Sequence, residues 1–152
     1  MPDSKTLHIL LADDDTDDCI FFQETLEELD IPNQLDTVHD GEQLMRFLLH
    51  ETTALPDILF LDLNMPRKNG FECLLEIKLS EKLKIIPVIV YSTSFEQEMV
   101  NMLYANGAHF FMRKPSEFSK FKRIIQQCLG LVKFGISAQP SKENFVLTVH
   151  GD

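Results

Sequence analysis

The sequence predicts a doubly wound α/β domain, a (βα)5 unit in which five buried parallel strands alternate with five amphipathic helices. Two observations carry that expectation. Short apolar runs recur along the chain, each bounded by turn residues and followed by a segment whose apolar residues fall at helical spacing. The runs also end abruptly in acids, hydroxyls or a lysine, the residue types that work just beyond the carboxyl ends of strands in an open parallel sheet. Strict alternation of this kind implies right-handed crossovers with helices on both faces.

The elements follow in order. Leu7 to Ala12 is the first strand, running into the acidic turn Asp13 to Asp18. Cys19, Phe22, Leu26 and Leu29 then recur at helical spacing opposite Glu24, Glu27 and Glu28, so a helix starts near Thr16 and ends before Pro32. Gln34 to Val38 has the mixed polarity of an edge strand, and Asp40 is placed to cap the helix carrying Leu44, Phe47 and Leu48. After Pro56 comes the central strand, ending in Asp62, and a third helix with Phe71, Leu74, Leu75 and Ile77. Ile85 to Tyr91 is the fourth strand. Ser94 with Gln97 reads as a capping box for a helix bearing Met99, Met102 and Leu103, which Asn106-Gly107 stops. His109 to Met112 is the fifth strand, and Phe118, Phe121, Ile125, Cys128 and Val132 mark the last helix. The chain thus divides into a lead (1–6), one domain (7–133) and a tail (134–152), where Asn144 to Val149 alternates weakly, as an extra edge strand or a dimer contact would.

A chain of 152 residues with 44% hydrophobic content supports one domain with a full core. The formal net charge of -10 argues against nucleic-acid binding by the bulk surface and for a cation or protein partners. Three cysteines, Cys19, Cys73 and Cys128, lie far apart among helix-like apolar residues, the pattern of reduced, buried thiols. No apolar run reaches membrane-spanning length and the first residues lack a signal-peptide pattern, so the expectation is a cytoplasmic protein without membrane contact.

The strand ends bring together Asp13 and Asp14, Asp62, Ser92 and Lys114. Three carboxylates on one rim either hold their protons or bind a hard cation, and oxygen ligands with open positions suit Mg2+. Mg2+ held by carboxylates completes its shell with water and phosphate oxygens, so the site fits a phosphoryl group. Asp62 is the natural nucleophile, Lys114 a compact positive charge and Ser92 a hydroxyl donor; the product would be an aspartyl phosphate.

The acidic pair Asp13-Asp14, the segment F-L-D-L-N-M-P-R-K-N-G around Asp62, Ser92 after the fourth strand and Lys114-Pro115 after the fifth together resemble the receiver domains of two-component response regulators. The resemblance spans roughly Leu7 to Lys133. It implies a flavodoxin-like fold with strand order 2-1-3-4-5 and a phosphoacceptor role for Asp62. Mg2+ would be ligated directly by Asp14, Asp62 and the backbone carbonyl of Asn64, and by Asp13 through water. Lys114 would pair with the phosphoryl oxygen, and the Lys114–Pro115 peptide would be cis. Ser92 and Phe111 occupy the family's switch positions; Phe111 stands where Tyr is frequent and cannot donate a hydrogen bond. Asn64 and Ser94 fall where the family tunes the lifetime of the phosphate. Finer features resemble the small stand-alone regulators that work with bacterial phytochrome kinases. The implied partners are a sensor histidine kinase or histidine phosphotransfer protein and a downstream target or homodimer mate. The implied role is a phosphoacceptor signalling protein, not an enzyme. Roughly 20 residues after Lys133 are too few for a DNA-binding output module.

Other readings fit less well. For Asp15, Asp17 and Asp18 the helix dipole is sufficient reason, and the calcium-loop pattern fails because Asp18 replaces the turn glycine. A haloacid-dehalogenase-type phosphatase needs Thr or Val where Asp17 stands. A flavodoxin-type electron carrier needs a phosphate cradle where this chain has carboxylates. A receiver-like module that signals by binding alone remains the nearer alternative. The five histidines have no second ligand at metal spacing and read as surface or packing residues. Met99 and Met102 read as core or partner-face packing, and Lys120, Lys122 and Arg123 as a solvated helix face.

Overall fold

Runs of Leu, Ile, Val and Phe without charge until their last position are stable only between two covering layers, and each becomes a strand of one parallel sheet. The computed structural model describes residues 6–50, 54–114, 117–133 and 139–147. The strands are β1 (Leu7–Ala12), β2 (Asn33–Val38), β3 (Ile58–Asp62), β4 (Val88–Ser92), β5 (Phe110–Arg113) and a short β6 (Val146–Leu147). The helices are α1 (Thr16–Glu28), α2 (Gly41–Leu49), α3 (Gly70–Leu79), α4 (Gln97–Ala105) and α5 (Phe118–Lys133). The order is β2-β1-β3-β4-β5-β6, parallel throughout. The five predicted strands stand in the predicted order, and β6 is a minor addition at one edge.

The pleat of the sheet divides the core in two. Leu10, Leu59, Val90 and Phe111 pack with Leu44, Leu74 and Leu103 of α2, α3 and α4. Their chain neighbours Ile9, Phe60, Tyr91 and Met112 pack with Phe22, Phe121 and Ile125 of α1 and α5. At about 25 cal/mol per Å2, burying side chains of this size contributes roughly 1.5–3 kcal/mol each, so the strand ends that form the rim are held by packing on both faces of the sheet.

Three helix starts are capped by the residues that set them. Asp15 accepts from the Asp18 N–H, Asp40 accepts from the Gln43 N–H at 2.8 Å, and Asn69 forms a capping box with Glu72. The capping box expected of Ser94 and Gln97 does not form: α4 begins after Glu96 without a side-chain cap. The Ser94 hydroxyl instead lies 3.2 Å from that of Ser92, and its N–H donates to Ser92 Oγ, so the strand end claims it. The fourth strand starts at Val88, later than expected, because residues from Ser80 to Ile86 form turns held by Ser80 Oγ and Leu83 O. Ile85, read as strand, is exposed.

The tail is fastened to the α4–β5 side. Gln139 Nε2 donates to the carbonyls of Tyr104 (2.6 Å) and Ala108 (2.7 Å), and Tyr104 Oη donates to Pro140 O at 2.8 Å. Phe145 is buried edge-to-face against Tyr104, and its carbonyl accepts from the Phe111 N–H. The expected strand over Asn144 to Val149 is realised as a 3₁₀ turn, Lys142–Asn144, followed by the two residues of β6; residues 148 and 149 lie outside the described residues.

Just before β5, the buried His109 uses Nδ1 to accept from the Val88 N–H at 3.1 Å. Burial, with Lys78 nearby, pushes its pKa from 6.5 down to about 4. A depressed imidazole pKa stabilises the fold fully above pH 6.5, and that contribution is lost as the pH falls towards 4. Chemical denaturation between about pH 7.5 and about pH 4 should show wild-type protein losing about 3 kcal/mol more than His109→Asn, whose amide oxygen still accepts from Val88. Equal losses in the two proteins would contradict this assignment.

Candidate functional site

Parallel strands in register bring their last residues to one rim. Asp13 follows β1, its N–H bonded to Val38 O of β2, and Asp62 ends β3 opposite Tyr91 of β4. Ser92 ends β4, and the Lys114 N–H after β5 donates to Ser92 O at 2.8 Å. The loop after Asp62 turns back sharply: Gly70 N–H bonds Leu63 O, and a Cβ on Gly70 would collide with the Asp62 carbonyl. Gly70 therefore lets α3 begin directly against the strand end.

Asp13 is fully buried, Asp62 is 4% exposed and Asp14 is exposed. Carboxylate oxygens of the three lie within 4.8 Å of one another. Lys114 Nζ stands 3.0 Å from Asp13 Oδ2, 2.8 Å from Asp18 Oδ2 and 3.5 Å from Asp62 Oδ2. Asp13 Oδ1 accepts from the Asp15 N–H, and Oδ2 accepts also from the Tyr91 hydroxyl. Asp62 Oδ1 accepts from the exposed Asn64, through its backbone N–H, at 3.2 Å.

These contacts split the two buried acids. Burial pushes the Asp62 carboxyl from 3.8 up to about 7; the neighbouring Asp13 adds to the rise, and Lys114 and the Asn64 N–H only partly oppose it. Asp13 is buried too, but Tyr91, the Asp15 N–H and Lys114 outweigh burial and hold its pKa below the ordinary value. For Lys114 burial works against the charge, yet Asp18, Asp62 and Asp13 together raise its pKa. One lysine among this many acids leaves the cluster short of positive charge. Its donor set, hard carboxylate oxygens from two strand ends, fits a small divalent cation such as Mg2+.

Ser92 is fully buried beside Asp62's strand, and Phe111 is fully buried with Phe95 of the β4–α4 loop edge-to-face at 5.8 Å. The Lys114–Pro115 peptide expected to be cis involves Pro115, which lies outside the described residues. Two members of the cluster escaped the sequence reading. Asp18, expected only to serve the helix dipole, also pairs with Lys114; its place in the first turn of α1, beside the rim, is the available signal. Tyr91 gave no signal, since an aromatic in a buried strand ordinarily packs.

The fold and this rim define a class. The family model for the response regulator receiver domain matches residues 9–126, and the chain belongs to that family, the signal-receiving domains of two-component systems. Among known relatives, the response regulator Rcp1 of Synechocystis sp. is 34% identical over 122 residues, covering 78% of this chain and 83% of Rcp1. The probable methanogenesis regulatory protein FilR2 of Methanothrix harundinacea is 32% identical over 122 residues, 78% of this chain and 79% of FilR2. The crystal structure of Mn2+-bound Rcp1 matches with a TM-score of 0.77 at 30% identity, over 89% of this chain and 99% of that one. That of the phosphorylated cyanobacterial phytochrome response regulator RcpA matches with a TM-score of 0.78 at 30% identity, over 90% and 100%.

The raised Asp62 pKa is a stability statement. The penalty is absent below pH 3.8 and complete above pH 7, where the buried carboxylate is ionised in the folded state. At about pH 8 without metal, Asp62→Asn should raise stability on the order of 2–4 kcal/mol, or roughly 5–10 °C in Tm. Added Mg2+ should stabilise the wild type and have little effect on the variant. A variant no more stable than the wild type in metal-free calorimetry would contradict the burial argument.

Proposed function

We propose that this receiver domain accepts a phosphoryl group on Asp62 from the phosphohistidine of a sensor histidine kinase or a histidine phosphotransfer protein. The observation that carries the reading is the largely buried, under-neutralised Asp62 carboxylate at the rim, with Lys114 3.5 Å away. The ionised Asp62 carboxylate attacks phosphorus in line; the P–N bond to the donor imidazole breaks, a P–O bond to Asp62 forms, and the imidazole, already protonated on its other ring nitrogen, takes the P–N electron pair and leaves neutral. Asp14, Asp62 and the Asn64 carbonyl would hold Mg2+ directly and Asp13 through water. When bound, the cation would neutralise the charge that gathers on the phosphoryl oxygens. Lys114 moves from Asp13 and Asp18 to a phosphoryl oxygen, and the Ser92 hydroxyl donates to another.

The new group carries about -1.5 to -2 charges. Absorbing them draws Ser92 and the loop after β4 inward. Phe95 of that loop touches Phe111, so the movement is transmitted to β5, on which the tail rests through the Phe111–Phe145 hydrogen bond. Output on this reading is a changed affinity of the α4–β5–α5 face for a protein target or a second copy of the chain, with residues 7–133 as the receiver unit and the tail as part of its surface. The acidic surface supports protein partners over nucleic acid. Among the described residues no helix is long and apolar enough to cross a membrane.

Intact-mass measurement after incubation with Mg2+ and a small-molecule phosphodonor should show the gain of one phosphoryl group. Asp62→Asn and a chelator control should both abolish it. A folded, metal-binding protein that gains nothing from this donor or from phosphohistidine proteins would favour signalling by binding alone.

A further inference from the structure

Among the described residues one more polar side chain reaches the acidic cluster from inside the core. Tyr91, the penultimate residue of β4, is 1% exposed and pairs in register with Asp62 on one side and Met112 on the other. An aliphatic residue there, like Val88, Ile89 and Val90 before it, would bring no polar atom to the rim. Instead the phenol hydroxyl donates to Asp13 Oδ2, and the Lys114 ammonium sits 4.4 Å above the centre of the ring.

We propose that Tyr91 is a positioning residue: its hydroxyl fixes the Asp13 carboxylate for the cation, and its ring face holds Lys114 within reach of Asp62. The inference rests on the phosphoacceptor reading above. Asp13 can turn about two side-chain bonds and is pinned by donors from three places: the Asp15 N–H after β1, Tyr91 in β4 and Lys114 after β5. When Lys114 transfers to a phosphoryl oxygen, Tyr91 is the donor that stays on Oδ2. A buried carboxylate left without a donor there would be costly, so the hydroxyl lets Lys114 leave. The ring contributes separately, because its face attracts the ammonium whether or not the hydroxyl is present.

The two contributions separate in two variants. Tyr91→Phe keeps the ring and loses the hydroxyl; Tyr91→Leu loses both. Binding of Mn2+ alone is read on unphosphorylated protein from the electron paramagnetic resonance of free Mn2+. The phosphorylation rate is read with a small-molecule phosphodonor across a Mg2+ series. Tyr91→Phe should weaken Mn2+ binding about tenfold, as loss of a partner that orients a metal ligand typically does, with a near-normal rate at saturating Mg2+. Tyr91→Leu should weaken binding similarly and also lower the saturating rate several-fold. Wild-type affinity in Tyr91→Phe overturns the proposal, as do equal saturating rates in folded Phe and Leu variants. If the Leu variant does not fold, the Mn2+ affinity of the Phe variant decides. Wild-type protein that binds no Mn2+ overturns the metal reading itself along with this proposal.

Discussion

Taking a carboxylate out of water costs several kcal/mol unless a counter-charge or hydrogen bonds replace the lost hydration. The chain buries two, Asp13 and Asp62, side by side at the ends of neighbouring strands, and gives them one lysine. Much of the surrounding structure answers that expense. Asp13 receives a phenol, a backbone N–H and the ammonium; Asp62 receives one N–H and a more distant ammonium, and its carboxyl is pushed up to about 7. The asymmetry assigns the two acids different work. On the proposed reading the better-satisfied Asp13 holds the cation through water, and the less-satisfied Asp62 is where new positive charge, or a phosphoryl group accompanied by it, gains most.

The sheet makes this arrangement possible. Parallel register lines up the last residues of β1, β3, β4 and β5, and the pleat sends Tyr91 to the α1–α5 side, where Asp18 of α1 also meets Lys114. On the other side Phe111 lies between the β4–α4 loop, through Phe95, and the tail, through its own backbone. A change at the acidic rim therefore has short, packed routes to two separate surfaces. The tail bears on one of them through Gln139, Tyr104 and Phe145.

Most of this was legible in the sequence where one residue type had one structural use. Apolar runs ending in Asp, Ser and Lys gave the strands and the rim, and Asp40 gave a helix start, because local pattern and tertiary fold agree there. The reading failed where two groups competed for one partner. Ser94 could cap α4 or bond Ser92, and the strand end won. Asp18 could serve the helix dipole or Lys114 and does the second through its side chain while its N–H is capped by Asp15. Tyr91 was silent because packing and hydrogen bonding look alike in an apolar run, and only the register with Asp62 separates them. The apolar pair Ile85-Ile86 extends the strand pattern ahead of β4, although only Ile86 is buried.

On the proposed reading, the positive charge missing from the rim of Asp13, Asp14 and Asp62 enters as a divalent cation. Backbone NMR during a substoichiometric Mn2+ titration tests it most directly, since the paramagnetic ion broadens the amides nearest to it. Early, selective loss of the signals of residues 13–15 and 62–64 is expected, with the exposed acids of α1, Glu24 and Glu27, unaffected. Broadening centred on those helix acids, or none at all, would contradict it.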